Sequence, residues 1–305
     1  MLRNMRYLVA LAREKHFGRA AAACNVSQPT LSAGIRQLEA DLGSPIVARG
    51  NKFLGLTGAG EIALDHAHRM LGEADALRSG LAEHGKGLAG RLRLGAVPTA
   101  LPIVAPFAAP FYRRFPQVSV TVLSMTSQEI VRGIETFELD VGLTYLDNEP
   151  LPKVRAKPVH VEEYAFLTAA DGAFAGRASI SWAEAAAAPL CLLTPDMQNR
   201  RIIDGVFRSV GASPKPRVET NSIFNLVSHA SSGLWSSIVP RQLLKFFGVP
   251  EGTRALELTD PTARRTLGLI MSAQDPPPPL ARNFFALEAP ADLAGLIRPA
   301  DKGRG

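Results

Sequence analysis

The stretch Phe17-Gly18-Arg19-Ala20-Ala21-Ala22-Ala23-Cys24-Asn25-Val26-Ser27-Gln28-Pro29-Thr30-Leu31-Ser32-Ala33-Gly34-Ile35-Arg36-Gln37-Leu38-Glu39 constrains the fold more than any other part of the chain. Its signals predict a helix, a tight turn and a second helix. The alanines favour helix, and Asn25 tolerates the left-handed backbone of a sharp turn. Ser27 suits an N-cap and Pro29 the first turn that follows it. Along the second helix Leu31, Ile35, Leu38 and Leu42 share one face, while Pro29, Ser32, Ala33 and Arg36 share another roughly 140° away. The apolar face packs. The other carries small residues that let a helix approach base edges in a DNA major groove, with Gln28, Thr30, Ser32 and Arg36 able to bond to bases or phosphates. Taken alone, the same face also fits a solvated side of an ordinary helix.

The flanking residues extend this unit. Met5, Leu8, Val9 and Ala12 recur at i, i+3, i+4 and i+7 and predict an opening amphipathic helix under a small trihelical core. After Gly43-Ser44-Pro45, the run from Ile46 to Thr57 reads as two short strands with a turn at Gly50-Asn51. Such a wing would lay Arg49 and Lys52 along the phosphates. Charge follows the same division: residues 1–60 hold eight basic and three acidic side chains, a net of +5, whereas the whole chain of 305 residues carries +6. Residues 61–88 are net −2.

These residues resemble the LysR-type transcriptional regulators. The match runs through the opening helix, Ala20-Ala21, Ser27-Gln28-Pro29-Thr30-Leu31-Ser32, Ile35-Arg36-Gln37-Leu38-Glu39, Leu42-Gly43 and Leu56-Thr57-Gly58-Ala59-Gly60. It departs at the wing, where the family usually has a Leu-Phe-x-Arg run and this chain has Ile46-Val47-Ala48-Arg49 followed by Asn51-Lys52-Phe53.

From about Gly60 to Glu83 the chain lacks proline and places Ala63, Ala67, Met70, Ala74, Leu77 and Leu81 at steps of 4, 3, 4, 3 and 4. That is a short heptad seam on a helix of roughly 36 Å, suited to antiparallel pairing with a second copy or to packing on its own domain. The resemblance favours dimerisation, as a homodimer or homotetramer, with two reading helices meeting two half-sites of a near-palindrome. Gly85-Lys86-Gly87-Leu88-Ala89-Gly90 reads as a flexible hinge. His66 and His68, two apart on a helix, do not face one another and make a poor metal pair.

Beyond the hinge, strands alternate with helices: Arg91–Val97, a helix about Leu101–Arg114, Val118–Leu123, a helix about Gln128–Thr136, then Val141–Thr144. The pattern predicts an α/β fold with mainly parallel strands. Val159–Leu167 is expected to cross into a second lobe holding Pro189–Leu193, Val218–Thr220 and Ser237–Val239, and Leu267–Met271 to return. The expected architecture is therefore an all-α winged helix-turn-helix at residues 1–58, a dimerisation helix and hinge at 59–90, and an α/β regulatory domain at 91–305. Lobe I takes about 91–160 and 268–305, and lobe II about 161–267. The resemblance, which extends over nearly the whole chain, implies a periplasmic-binding-protein-like effector domain here.

Ligands of such sheets bind beyond the carboxyl ends of the strands, where free backbone N–H groups favour a small anion. The candidates are Thr99, Thr126, Ser127, Thr144, Asn199 and Asn221, each also a reasonable helix cap; Thr126 with Glu129 fits a capping box. Arg200 and Arg201 stand ready to assist or to face solvent. The expected effector is a small organic acid or other anion, with no cofactor. The expected partners are promoter DNA, this anionic metabolite and further copies of the chain, with RNA polymerase in addition. A solute-binding receptor or a cytosolic enzyme using the same cleft are the alternatives. No phosphate-binding glycine loop, nucleophile elbow or His/Cys/carboxylate cluster with metal spacing occurs, and Asp140 and His229 read as structural. Cys24 and Cys191 read as structural thiols. With no export signal and no apolar run of about 18 residues, a cytoplasmic protein without membrane spans is expected. Pro276–Pro279 reads as a rigid connection before the last helix, and the tail from Pro299 as frayed.

Overall fold

A computed structural model of the chain describes residues 1–49, 53–85 and 87–288. They divide into two units: Met1–Leu88 together with Glu135–Glu138, and Ala89–Ile134 together with Leu139 onward.

The first unit opens with α1 (Leu2–Glu14), α2 (Phe17–Ala23) and α3 (Gln28–Leu42), continues with the hairpin β1 (Val47–Arg49) and β2 (Phe53–Leu56), and ends in α4 (Gly58–Gly85). Its core gathers Leu8, Leu11, Ala20, Leu31, Ile35, Leu38, Ile46 and Ala67, all buried. Full burial stabilises by roughly 1.5–3 kcal/mol for each large aliphatic side chain. Local caps set the boundaries. His16 Nδ1 accepts the backbone N–H groups of Gly18 and Arg19 at 3.0 and 3.3 Å, closing the start of α2. Asn25 takes φ 55° in the turn, Ser27 accepts the Thr30 N–H at 3.3 Å, and Gly43 ends α3 at φ 67°.

Two expected faces shift. In α1 the buried stripe is Met5, Tyr7, Leu8, Ala10 and Leu11, with Val9 and Ala12 at its half-buried margin. The helix is packed by α2, α3 and α4 at once, so its covered face is broader than a single stripe. Leu42, expected to pack, is 43% exposed because α3 ends at it and the chain turns away at Gly43. Gly34 is the point of closest approach between α1 and α3: a Cβ there would stand 2.5 Å from Tyr7 Cδ2. The Gly50-Asn51 turn, Lys52, Lys86 and the tail from Pro299 lie outside the described residues.

The second unit runs β3 (Gly90–Ala96), α5 (Leu101–Arg114), β4 (Val118–Ser124), α6 (Ser127–Glu135), β5 (Val141–Tyr145) and β6 (Val154–Ala169). It continues with β7 (Ser179–Ser181), α7 (Trp182–Ala185), β8 (Leu190–Leu193), α8 (Gln198–Ser209), β9 (Val218–Thr220), α9 (Ile223–Ser231) and β10 (Ser236–Pro240). It closes with α10 (Arg241–Phe247), β11 (Thr253–Thr259), β12 (Arg264–Ser272) and α11 (Pro279–Phe285), the last entered directly from the proline run. The strand order is β4-β3-β5-β12-β6-β10-β8-β9, with β11 on β6 and β7 on β11. β5, β8 and β10 are buried along their whole length, as apolar strands covered on both faces should be.

The sheet is mixed. β3 lies parallel to β4 and β5, and β8 parallel to β9 and β10, but β6 and β12 run antiparallel to their neighbours and join the two parallel halves. β6 is the hinge strand: Val154–Glu163 pairs with β12 in the first lobe, and Tyr164–Ala169 pairs with β10 and β11 in the second. The passage between lobes falls between Glu163 and Tyr164.

Candidate nucleic-acid interface and effector cleft

In α3 the division of faces expected from its spacing is present. Leu31, Ile35 and Leu38 are sealed in the core, while Gln28, Pro29, Thr30, Ala33 and Arg36 are exposed and Ser32 is half-buried. Ser27 and Thr30 bond to each other through their hydroxyls at 2.8 Å, fixing the first turn. Arg49 lies on β1. The base of the wing is held from α3 itself, by a residue that periodicity alone leaves on a polar face. Glu39 Oε1 accepts the N–H groups of Ile46 and Val47 at 3.0 and 3.3 Å.

Four of the six candidate cleft residues, Thr99, Ser127, Thr144 and Asn199, gather around the first turn of α8. The Thr99 hydroxyl and Asn199 Nδ2 both bond to the Tyr145 hydroxyl, at 2.8 and 3.0 Å. The Thr144 hydroxyl donates to Gln198 Oε1 at 3.0 Å, and Gln198 Nε2 donates to Asn148 Oδ1 at 2.6 Å. Ser127 donates to Glu149 Oε2 at 2.9 Å and accepts from Arg201 Nη2 at 3.1 Å. Arg201 also binds Glu149 Oε1 through Nε at 2.8 Å and Nη2 at 2.5 Å. Lobe I side chains at the ends of β3 and β5 and at the start of α6 thus meet lobe II side chains of α8.

Thr126 sits beside this group but caps its own helix: its N–H and hydroxyl reach Glu129 Oε2 at 2.8 and 2.9 Å, and its Oγ1 accepts the Glu129 N–H at 3.2 Å. Asn221 is exposed after β9, and Thr220 serves the following turn by accepting from Ser222 N and Asn225 Nδ2, both at 3.1 Å. Arg200 is structural, held by Asp204, Glu219 and the Leu193 carbonyl.

Beneath the cleft lies a group that sequence reasoning missed. Glu162 is wholly buried on the hinge strand and accepts the Tyr145 hydroxyl proton at Oε1, 2.5 Å away. Burial pushes its carboxyl up to about 7, against the lowering effect of the Tyr145 and Tyr164 hydroxyls. Burial, reinforced by Glu162, also holds the Tyr145 phenol far above its ordinary value. Glu162 Oε2 and Tyr164 Oη are neighbours that lack a bond of good geometry, and Asn199 Oδ1 is likewise buried without a partner. Alternation along β6 was the available signal: adjacent Glu162 and Glu163 must face opposite ways, and Glu163 takes the outer position, paired with Arg264 at 2.8 Å.

Asp140 and His229 have structural partners: Arg93 holds Asp140 bidentately at 3.1 and 2.8 Å, and His229 Nδ1 meets the Asn225 carbonyl at 2.8 Å. Burial raises the Cys191 thiol to about 11 and raises that of Cys24, against the opposing pull of Arg13 and Arg6. Among the described residues no group of three or more His, Cys, Asp or Glu side chains is placed to hold a metal ion, and no helix is long and apolar enough to cross a membrane.

Comparison with known proteins agrees with this organisation. Residues 2–61 match the bacterial regulatory helix-turn-helix protein, lysR family, and residues 85–289 match the LysR substrate binding domain. The DNA-binding transcriptional dual regulator OxyR of Escherichia coli K12 is 28% identical over 276 residues, covering 90% of each chain. An uncharacterized HTH-type regulator of the same organism, YnfL, is 31% identical over 288 residues, covering 93% of this chain and 96% of its own. Among solved structures, a full-length OxyR from Pseudomonas aeruginosa superposes with a TM-score of 0.71 at 30% identity, covering 95% of this chain and 99% of its own. Full-length CbnR complexed with its target DNA shares the fold, with a TM-score of 0.68 at 22% identity over 93% of this chain and 97% of its own. The chain belongs to the LysR family of DNA-binding transcription regulators, with a helix-turn-helix unit and an effector-binding domain.

Proposed function

We propose that α3 reads promoter DNA through Ser27, Gln28, Pro29, Thr30, Ser32 and Arg36, with Arg49 and Lys52 of the wing on the phosphates. A small organic acid bound between the lobes controls that binding. The observation that carries the reading is the two-sidedness of α3: Leu31, Ile35 and Leu38 are sealed while Gln28, Thr30 and Arg36 stand in solvent. Functionally the chain divides into a reading head at 1–58, a pairing helix and hinge at 59–90, and a sensor at 91–305. Thr99, Thr126, Ser127, Thr144, Asn199 and Asn221 contribute the effector contacts. Three of these, Ser127, Thr144 and Asn199, already take part in polar contacts between the lobes, and Thr99 bonds to the Tyr145 hydroxyl that Asn199 reaches, so a ligand that rearranges them changes how the lobes meet. No covalent chemistry is required, and the protein works in the cytoplasm.

Dimers or tetramers follow from the later part of the α4 seam, where Met70, Leu77 and Leu81 are 40, 64 and 68% exposed and a second copy would cover them, whereas Ala63 and Ala67 of the same seam pack into the core of their own unit. RNA polymerase is a further partner of the assembled complex. Relatives bearing the name hydrogen peroxide-inducible genes activator point to an oxidant signal, but both thiols here are raised in pKa, the opposite of an activated thiolate. A metabolic acid therefore fits better than peroxide. A thermal-shift screen against metabolic acids, followed by anisotropy on the promoter region beside the encoding gene, tests the proposal. One acid should stabilise the protein and change its DNA affinity. Stabilisation by hydrogen peroxide treatment instead would refute the effector class.

A further inference from the structure

Arg201 and Ser127 hold a carboxylate between them, and it belongs to the protein. The guanidinium is oriented from behind, since Nη1 donates to the carbonyls of Pro195 and Asp196 at 3.1 and 2.5 Å. Its Nε and Nη2 then face outward to Glu149. Ser127, 2% exposed at the start of α6, completes the grip on the other carboxylate oxygen. Glu149 arrives on the loop that follows β5. Its neighbours pin that loop at both sides: Asp147 accepts the Thr266 N–H at 2.7 Å, and Asn148 accepts from Gln198 at 2.6 Å. One loop of lobe I therefore reaches two side chains of α8 in lobe II.

We propose that Ser127 and Arg201 form the carboxylate-recognising subsite of the effector cleft, and that Glu149 is a built-in stand-in that an effector carboxylate must displace. The inference rests on the effector reading above and adds the chemistry of one end of the ligand. Two features favour exchange. The Arg201 and Glu149 side chains are 30 and 24% accessible, so the pair is reached from solvent and its net worth is modest. Both donors are fixed by other contacts and remain in place when Glu149 leaves, giving an incoming carboxylate the same charge-assisted geometry without reorganisation. The intramolecular competitor acts at a high effective concentration, so a simple acid with no other contact does not displace it from the native protein. Displacement removes one of the two links from this loop to α8 and leaves the Asn148 and Gln198 bond as the other.

The test is chemical rescue on the full chain, with acetate as the probe. Melting temperature is followed in sodium acetate against sodium chloride at equal ionic strength and neutral pH, for the parent, Glu149→Ala, Glu149→Gln, and Glu149→Ala combined with Arg201→Gln. Acetate at tens of millimolar should raise the melting temperature of Glu149→Ala by several degrees and that of the other three by less than one. Should Glu149→Ala fail to fold, Glu149→Ser, which also withdraws the carboxylate from Arg201, replaces it, and 13C-acetate line broadening relative to the parent and to Glu149→Gln is the expected sign. Equal acetate effects in parent and variant, a response that survives Arg201→Gln, or no acetate-specific response in any variant would overturn the proposal. None of those results touches the promoter-binding response to metabolic acids, which tests the wider effector reading separately.

Discussion

Tyr145 donates its hydroxyl proton to Glu162 across 2.5 Å, with both side chains wholly buried where the sheet passes from one lobe to the other. Burial lifts the Glu162 carboxyl to about 7, against about 4.3 for an exposed glutamate. Between those values the native chain holds a proton that the unfolded chain has lost, so stability falls as pH rises through this window and levels off above it. Urea denaturation at pH 5 and pH 8 should find that the parent loses on the order of 2 kcal/mol more than Glu162→Gln, which cannot ionise. Parallel pH dependence in the two proteins would show that Glu162 is not the titrating group.

Glu39 ties the wing to the reading helix through the N–H groups of Ile46 and Val47. Glu39→Ala should lower stability by about 1–3 kcal/mol, the usual cost of leaving part-buried donors unsatisfied, and weaken DNA binding. Glu39→Gln, which keeps an acceptor oxygen, should lose less. Calorimetric melting and anisotropy check both. Equal behaviour of the alanine and glutamine variants would remove the acceptor role.

Helix periodicity made α3 legible because a sealed face and a free face repeat every few residues, and Asn25, Ser27, Pro29 and Gly43 punctuate it with distinct backbone chemistry. The same local logic located the strands of the second unit apart from β7 and β11, and the Val159–Leu167 part of the hinge strand β6. It did not reach contacts made between distant segments. Glu149 stands in a polar loop and looks solvated, and its partner Arg201 is 52 residues on. Tyr145 adjoins the candidate Thr144, yet nothing local marks its hydroxyl as the meeting point of Thr99, Asn199 and Glu162. The sign of the sheet was also non-local: parallel order in each half is a consequence of alternating strands and helices, whereas the antiparallel entry of β6 and β12 depends on how the halves are joined.

Gly34 lets α1 and α3 touch, since a Cβ would fall 2.5 Å from the Tyr7 ring. Gly34→Val should cost about 1–3 kcal/mol by overpacking. Hydrogen exchange should rise across α1 to α3 while β3 and β5 stay protected. Unchanged protection in α1 would mean that the contact is not tight.

The exposed stripe of α4 is expected to hold copies of the chain together. Leu77→Glu combined with Leu81→Glu should shift sedimentation toward monomer at micromolar concentration and reduce binding to a two-half-site DNA far more than to a single half-site. A parent protein that already sediments as a monomer would contradict the pairing role.

The exposed face of α3 is proposed to carry the sequence preference of the protein. This role is tested most directly by fluorescence anisotropy on the promoter region beside the encoding gene and on scrambled DNA, at two salt concentrations, for the parent, Arg36→Ala and Lys52→Ala. Steep weakening with salt is expected for all three, together with a 10-fold or greater loss of promoter preference for Arg36→Ala, on the order of 1–3 kcal/mol, and uniform weakening on both DNAs for Lys52→Ala. An Arg36→Ala protein that retains the parent's affinity and preference would contradict that role.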